Sequence, residues 1–370
     1  MPKAEETVLE IDLKALKHNF EFIKSKVEGH TKLLAVVKAF AYGSDLGTIA
    51  LYLETLKVDY FAVAYASEGA AIRDAGVKTP ILVLHPQTAN FKLIIEKCLE
   101  PSLYTAKILS EFIDVAHQEN QKDYPVHIKL NTGLNRLGFE NTDINFVMSK
   151  TSATAAIKIK SIFSHLAASE DANEKEFTEK QIRLFKAMTE KCAKAMGYKP
   201  WLHLANTSGI LNYKEAHLDM VRSGIGLYGY GNSEEENKHL KPVATLKSVI
   251  SQIRTIGKGE TVGYNRAYKS KRITQIATIP IGHADGISRQ YGHNKGSVMV
   301  NGKKAPIVGN VCMDMIMIDV TTIKCQEGDE VILFGNHQNA AQFANAINTI
   351  SYEVLTSISQ RVKRVIINDA

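Results

Sequence analysis

The chain has 370 residues, 45% hydrophobic and 23% charged, a balance that suits two globular domains or one large barrel with an appendage. Its formal net charge of +6 permits an anionic substrate or cofactor, but Lys and Arg are interspersed with Asp and Glu (KEFTEKQIRLFK from Lys175), so no basic stripe points to nucleic acid. The opening MPKAEETVLEID has no apolar core, no run is long enough to span a bilayer, and the cysteines at 98, 192, 312 and 325 form no CxxC pair. A secretory signal, a membrane span, a structural metal site and a disulfide framework are therefore not expected, and reduced thiols in a cytoplasmic protein are.

Thr7–Ile11 alternates like a short strand, and from Asp12, a capping residue, Leu13, Leu16, Phe20 and Ile23 follow at helical steps. Short apolar runs then recur at Leu33–Val37, Tyr60–Ala64, Ile81–Leu84, Pro101–Tyr104, Val126–Leu130, Ile157–Phe163, Trp201–Leu204 and Met220–Ile225. Stretches of helical periodicity separate them, among them Leu46–Leu56, Phe91–Cys98, Ala106–His117 and the long Glu174–Met196, closed by Gly197. Eight such runs alternating with helices predict parallel strands and a (β/α)8 barrel. A doubly wound open sheet is the alternative, weakened in its dinucleotide-binding form because no GxGxxG follows the first run.

The polar GNSEEENKHLKP reads as a linker. Beyond it Ala244–Ile253, Ile273–Ile279, Ser297–Val300, Met315–Val320 and Glu330–Leu333 are short and separated by Gly-containing turns, which predicts a mainly antiparallel β-domain. A last helix, Ala340–Ile347, precedes Ser351–Arg361. The expected domains are a barrel over 12–235 and a C-terminal β-domain over 236–370, joined by the N-terminal strand 1–11.

Active-site groups of such a barrel sit at the C-terminal ends of its strands. Lys38 and Tyr42 follow the first run, Leu84 and His85 the third, Arg136 the fifth, His165 the sixth, and Asn206, Thr207 and Ser208 the seventh. Arg222 and SGIG (Ser223–Gly226) lie in the eighth. Each alone has an ordinary reading: a lysine reaching solvent, a core histidine, a surface ion pair, a tight turn. Jointly they place amine, phenol, imidazole and guanidinium on one face. A lysine at the mouth of a buried strand is then a candidate Schiff-base nucleophile, because desolvation lowers its pKa. The backbone of SGIG could cradle a phosphate.

AVVKAFAYG, LNTGLNRLGF, FSHLA, HLANTSG, VRSGIGLYG, GYNRAY, GHADG, GNVCMDM and SYEVLTSISQRV occur in this order. Together they resemble bacterial alanine racemase, a pyridoxal 5'-phosphate enzyme, over nearly the whole chain. The resemblance implies racemisation of alanine through an external aldimine and two opposite-face bases, supplying D-alanine for peptidoglycan. It implies Lys38 as the cofactor lysine and Tyr264 as the second base, donated by the partner of a homodimer. Arg222 would bond the pyridine nitrogen, with His165 on that arginine. Tyr42, Thr207, Gly224, Ile225 and Tyr352 would form the phosphate set, with Leu84 and Asn206 also lining the cofactor. Arg136 would lie near the phenolic oxygen, oriented by Lys129 when that lysine is carbamylated, and Met313 and Asp314 would face the substrate from the other subunit. The first motif commonly reads KANAYGHG, so Phe40, Ser44 and Asp45 depart from it, as does His283 where the family usually has tyrosine. A broader amino-acid racemase, a decarboxylase of the same fold and a non-catalytic cofactor carrier are the alternatives.

Overall fold

The protein is described by a computed structural model covering residues 4–335 and 338–367. The outermost expected positions, 1–3 and 368–370, lie outside the described residues. Two compact units divide the chain: one of Lys17–Ala41 and Leu46–Leu240, the other of the residues up to Leu16, Tyr42–Asp45 and Lys241 onward. No helix of the described residues is long and apolar enough to cross a membrane.

A first strand, β1 (Val8–Asp12), belongs to the second unit. The next eight are β2 (Lys32–Val36), β3 (Tyr60–Val63), β4 (Ile81–Val83), β5 (Glu100–Leu103), β6 (Tyr124–Lys129), β7 (Ile157–Phe163), β8 (Trp201–His203) and β9 (Met220–Ser223). They close in chain order into a parallel barrel, β9 pairing back onto β2. Each was legible as an apolar run because parallel barrel strands are covered on both faces. The outer ring follows helical spacing: the helix Ala106–Gln118 buries Leu109, Phe112, Ile113 and Ala116.

The barrel interior is chemically divided. Leu34, Tyr60, Ala62, Leu82 and Met220 form an apolar cluster, with Val36, Leu84 and Trp201 packed against it. Opposite in character are the buried Glu100, His127, Ser161, His203 and Arg222. A carboxylate can open β5 because Tyr60 and His127 both hydrogen-bond it, at 3.0 and 2.7 Å.

The second unit is a nine-stranded sheet. Its strands after the barrel are β10 (Ala244–Val249), β11 (Gln252–Ile256), β14 (Thr274–Ile279), β15 (Ser297–Val300), β16 (Lys303–Val308), β17 (Ile316–Asp319), β18 (Glu330–Phe334) and β19 (Lys363–Ile367); β12 (Thr261–Val262) and β13 (Tyr268–Lys269) form a separate small ribbon. The order is β11-β14-β17-β16-β15-β18-β10-β1-β19, antiparallel except that β1 runs parallel to β19. The expected run Ala244–Ile253 is two strands, because the chain turns between Ile250, whose amide bonds Asp329, and Ser251, whose amide bonds Thr278.

One segment departs from expectation more sharply. Tyr42 and Gly43 are expected at the turn into the next helix. Instead Ala39, Phe40, Ala41 and Tyr42 all have φ of 53–55° and Gly43 has 80°, so Lys38–Gly43 is a left-handed helical turn. Each non-glycine residue in that region costs about 1–2 kcal/mol.

Candidate active site

The strained turn is held at both of its ends. In the barrel unit, the Ala39 amide donates to Glu68 Oε1 at 2.6 Å, and Glu68 Oε2 accepts from the amides of Ala64 and Tyr65. In the second unit, Arg364 donates from Nη2 to the Gly43 carbonyl at 2.8 Å and from Nε to that of Ser44 at 3.1 Å. A Cβ on Gly43 would lie 2.0 Å from the Leu355 carbonyl oxygen, so only glycine fits there.

Lys38 thus stands at the C-terminal end of β2 with its amine half-buried. Burial lowers its pKa, Arg136 lowers it further, and Glu68 opposes both. Lys129, at the end of β6, is buried over the Phe163 ring and held at about 8, chiefly by burial and then by Arg136, Arg222 and Lys38. His165, just after β7, is kept well below the ordinary histidine value by burial and by the charges of Arg222, Lys129, Arg136 and Lys38. The barrel unit therefore gathers Lys38, Lys129, Arg136 and Arg222 into one cationic field around a neutral imidazole.

Arg222 on β9 is 4% exposed. Its Nη2 reaches the carbonyls of Ser164 at 2.7 Å and Leu204 at 2.9 Å, and lies 3.2 Å from His165 Nδ1; Nη1 lies 2.8 Å from His203 Nδ1. Burial brings its pKa down to about 9. The Nε–H is taken up by none of the described residues. Arg136 is exposed on a loop that Asn131 shapes by accepting the amides of Gly133 and Asn135.

Asn206 caps the helix Thr207–Asn212 by accepting the Gly209 amide, and Ser169 donates to the same oxygen. Thr207 Oγ1 lies 3.3 Å from Ser223 Oγ and accepts from the Gly226 amide. A Cβ on Gly226 would approach the Thr207 methyl to 2.7 Å, so this glycine lets the turn after β9 close on Thr207. Leu84 is absorbed by the apolar cluster, and His85 stacks on Tyr104, whose hydroxyl lies 3.2 Å from its Nδ1.

In the second unit, Tyr42 is buried with its ring 5.9 Å from that of Tyr352, and burial together with Tyr352 raises its pKa. Tyr264 is 72% exposed on the short turn Tyr264–Arg266, where Asn310 donates to its carbonyl. Met313 is exposed, and its carbonyl accepts the Ala284 amide. Asp314 is held by Arg361, which also donates to Asp285, both at 2.6 Å. Sequence reasoning missed Glu68, His203, Arg361 and Arg364. Only His203 had a local signal, a histidine inside a barrel run.

The residues fit pyridoxal phosphate on their own chemistry: a partly desolvated lysine, an excess of cations, a guanidinium N–H of Arg222 that no described residue accepts, and a glycine turn beside a threonine hydroxyl. Residues 11–232 match the family model for the alanine racemase N-terminal domain, and 243–366 that for the C-terminal domain. The chain is 36% identical over 374 residues to an alanine racemase of Sorangium cellulosum, covering 97% of this chain and 98% of that one. A solved alanine racemase of Clostridium difficile 630 superposes with a TM-score of 0.92 at 33% identity, covering 99% of this chain and 97% of that one. An alanine racemase from Bartonella henselae with covalently bound pyridoxal phosphate does so at 0.87 and 32% identity, covering 98% of this chain and all of its own. With both family domains matched in order and relatives aligned end to end, this chain belongs to the alanine racemase family.

Proposed function

We propose that the protein interconverts L- and D-alanine with pyridoxal 5'-phosphate as cofactor, working as a homodimer and furnishing D-alanine for peptidoglycan. The observation that carries this reading is the cationic field of Lys38, Lys129, Arg136 and Arg222, which asks for an anionic group beside an amine whose pKa burial lowers. Bound at Lys38, the cofactor would supply an electron-withdrawing ring that eases loss of the substrate's Cα proton.

Arg222, Thr207, Tyr42, Tyr352 and the turn at Gly224 and Ile225 would hold that group. Arg222 only donates hydrogen bonds, so it would leave the pyridine nitrogen unprotonated and limit side reactions. Racemisation needs a base on each face of the planar Cα. Lys38, its pKa lowered by burial, would exchange the proton on one face. Tyr264 of the partner subunit would exchange it on the other, with Met313 and Asp314 beside the substrate; the exposure of Tyr264 and Met313 is consistent with a surface that a second copy completes.

Borohydride reduction followed by peptide mass mapping, run beside an assay of D-alanine formed from L-alanine, tests this. The expected result is a cofactor adduct on Lys38 together with racemisation. An adduct on Lys38 without racemisation of any amino acid would instead make the protein a cofactor carrier.

A further inference from the structure

Behind Arg222 a line of hydrogen bonds runs through the polar half of the barrel. Arg222 Nη1 lies 2.8 Å from His203 Nδ1; His203 Nε2 lies 2.8 Å from Ser161 Oγ; Ser161 Oγ lies 2.6 Å from His127 Nδ1; His127 Nε2 lies 2.7 Å from Glu100 Oε2. All five residues are buried, and Glu100 opens β5 while Arg222 sits on β9. A guanidinium can only donate and a carboxylate can only accept, so with both imidazoles neutral the two ends fix every direction between them. Arg222 donates to a bare His203 Nδ1. His203 Nε2–H donates to Ser161, Ser161 donates to a bare His127 Nδ1, and His127 Nε2–H donates to Glu100. Tyr60 adds its own hydroxyl proton to the same oxygen at 3.0 Å.

We infer that Glu100 is a positioning residue for Arg222: through His127 and Ser161 it fixes the tautomer of His203 so that His203 presents an acceptor to the guanidinium. Among the described residues no carboxylate contacts Arg222, whose other partners are backbone carbonyls and His165. The nearby ionisable groups Lys129 and His165 offer it no negative charge. Arg73 also feels Glu100, but its guanidinium hydrogens go to the carbonyls of Lys97, Val77, Thr79 and Cys98. The inference deepens the role proposed for Arg222, yet its test does not read racemisation, so either can fail alone.

The test is nitrogen-15 NMR of histidine side chains and carbon-13 NMR of arginine side chains in the full chain, with assignments from single His→Gln and Arg→Lys replacements. In the unsubstituted protein at neutral pH, His127 and His203 are both expected as neutral Nε2–H tautomers. In Glu100→Gln the Arg222 guanidinium should lose its proton at a pH lower by about half a unit or more, with Glu100→Asp returning it toward the starting value. If Glu100 serves only to satisfy Tyr60 and His127, the Arg222 titration will not move. That result overturns the inference, as does a His127 protonated on both nitrogens. Should Glu100→Gln fail to fold, Ser161→Ala cuts the line without changing any charge and should release His203 into a mixture of tautomers. A single unchanged tautomer there counts against the inference.

Discussion

The Ala39 amide donates to Glu68 Oε1 at 2.6 Å, so the first left-handed residue after Lys38 is pinned by a carboxylate that also takes the amides of Ala64 and Tyr65. Hydrogen bonds to a charged group contribute about 1.5–3 kcal/mol each, comparable to the cost of the strained residues they restrain. Glu68→Ala should destabilise the protein by about 2–3 kcal/mol and lower the Lys38 pKa further by removing its opposing charge. Urea unfolding and the acid limb of the rate–pH profile report the two effects. An unchanged unfolding midpoint would show that the turn is held elsewhere.

Phe40 occupies this turn with φ of 54° and a ring 52% exposed, so it has strain without compensating burial. Phe40→Asn, whose short side chain tolerates the left-handed region, should raise stability by about 0.5–1 kcal/mol. The melting temperature should rise by a few degrees with kcat little changed. A fall in stability would mean that the ring covers apolar surface.

Lys129 titrates at about 8 rather than 10.5, mainly because it is buried. Between those values the unfolded chain holds more proton than the folded one, so stability should rise with pH across the window. The penalty is fully present below about pH 8 and amounts to on the order of 3 kcal/mol. Lys129→Met should flatten the slope between denaturation curves taken at neutral and at alkaline pH. The partly neutral amine should also take up carbon dioxide in bicarbonate, releasing a proton and forming a carbamate. An intact-mass gain of one CO2 in the unsubstituted protein but not in Lys129→Met checks this.

Tyr264→Phe removes one of the two proposed bases and leaves Lys38 in place. Racemisation should fall by about 10²–10⁴-fold in both directions, since the equilibrium between enantiomers is fixed. In heavy water, exchange of the Cα proton should survive for the enantiomer whose proton faces Lys38. Equal loss of exchange from both enantiomers would contradict the assignment of one base to each face.

The barrel was legible in the sequence because its strands are continuous apolar runs with a helix between each pair. The break between Val249 and Gln252 was not, since the apolar alternation runs on through residues that turn only to meet Asp329 and Thr278. The left-handed turn left no local mark: Ala39–Tyr42 contains neither glycine nor asparagine, and what holds it lies far away in sequence at Glu68, Leu355 and Arg364. The polar interior is not legible in the same way, because apolar periodicity marks a strand by its hydrophobic residues: the apolar runs begin at Pro101 and Val126, beside a buried Glu100 and around a buried His127. The placement of Lys38, His165 and Arg222 at strand ends follows from barrel geometry. The role of Tyr264, on an exposed turn of the other unit, came only from the family pattern.

The sheet order also bears on how the protein is made. β1 lies between β10 and β19, and Lys363–Ile367 is made long after Val8–Asp12. Val8–Asp12 must therefore wait until the barrel has been made for each of its two neighbours, and the Gly43 and Ser44 carbonyls wait likewise for Arg364. A nascent chain can close its barrel and still lack a fixed turn beside Lys38. Loss of the final strand should accordingly leave a protein with a folded barrel and an unset active site.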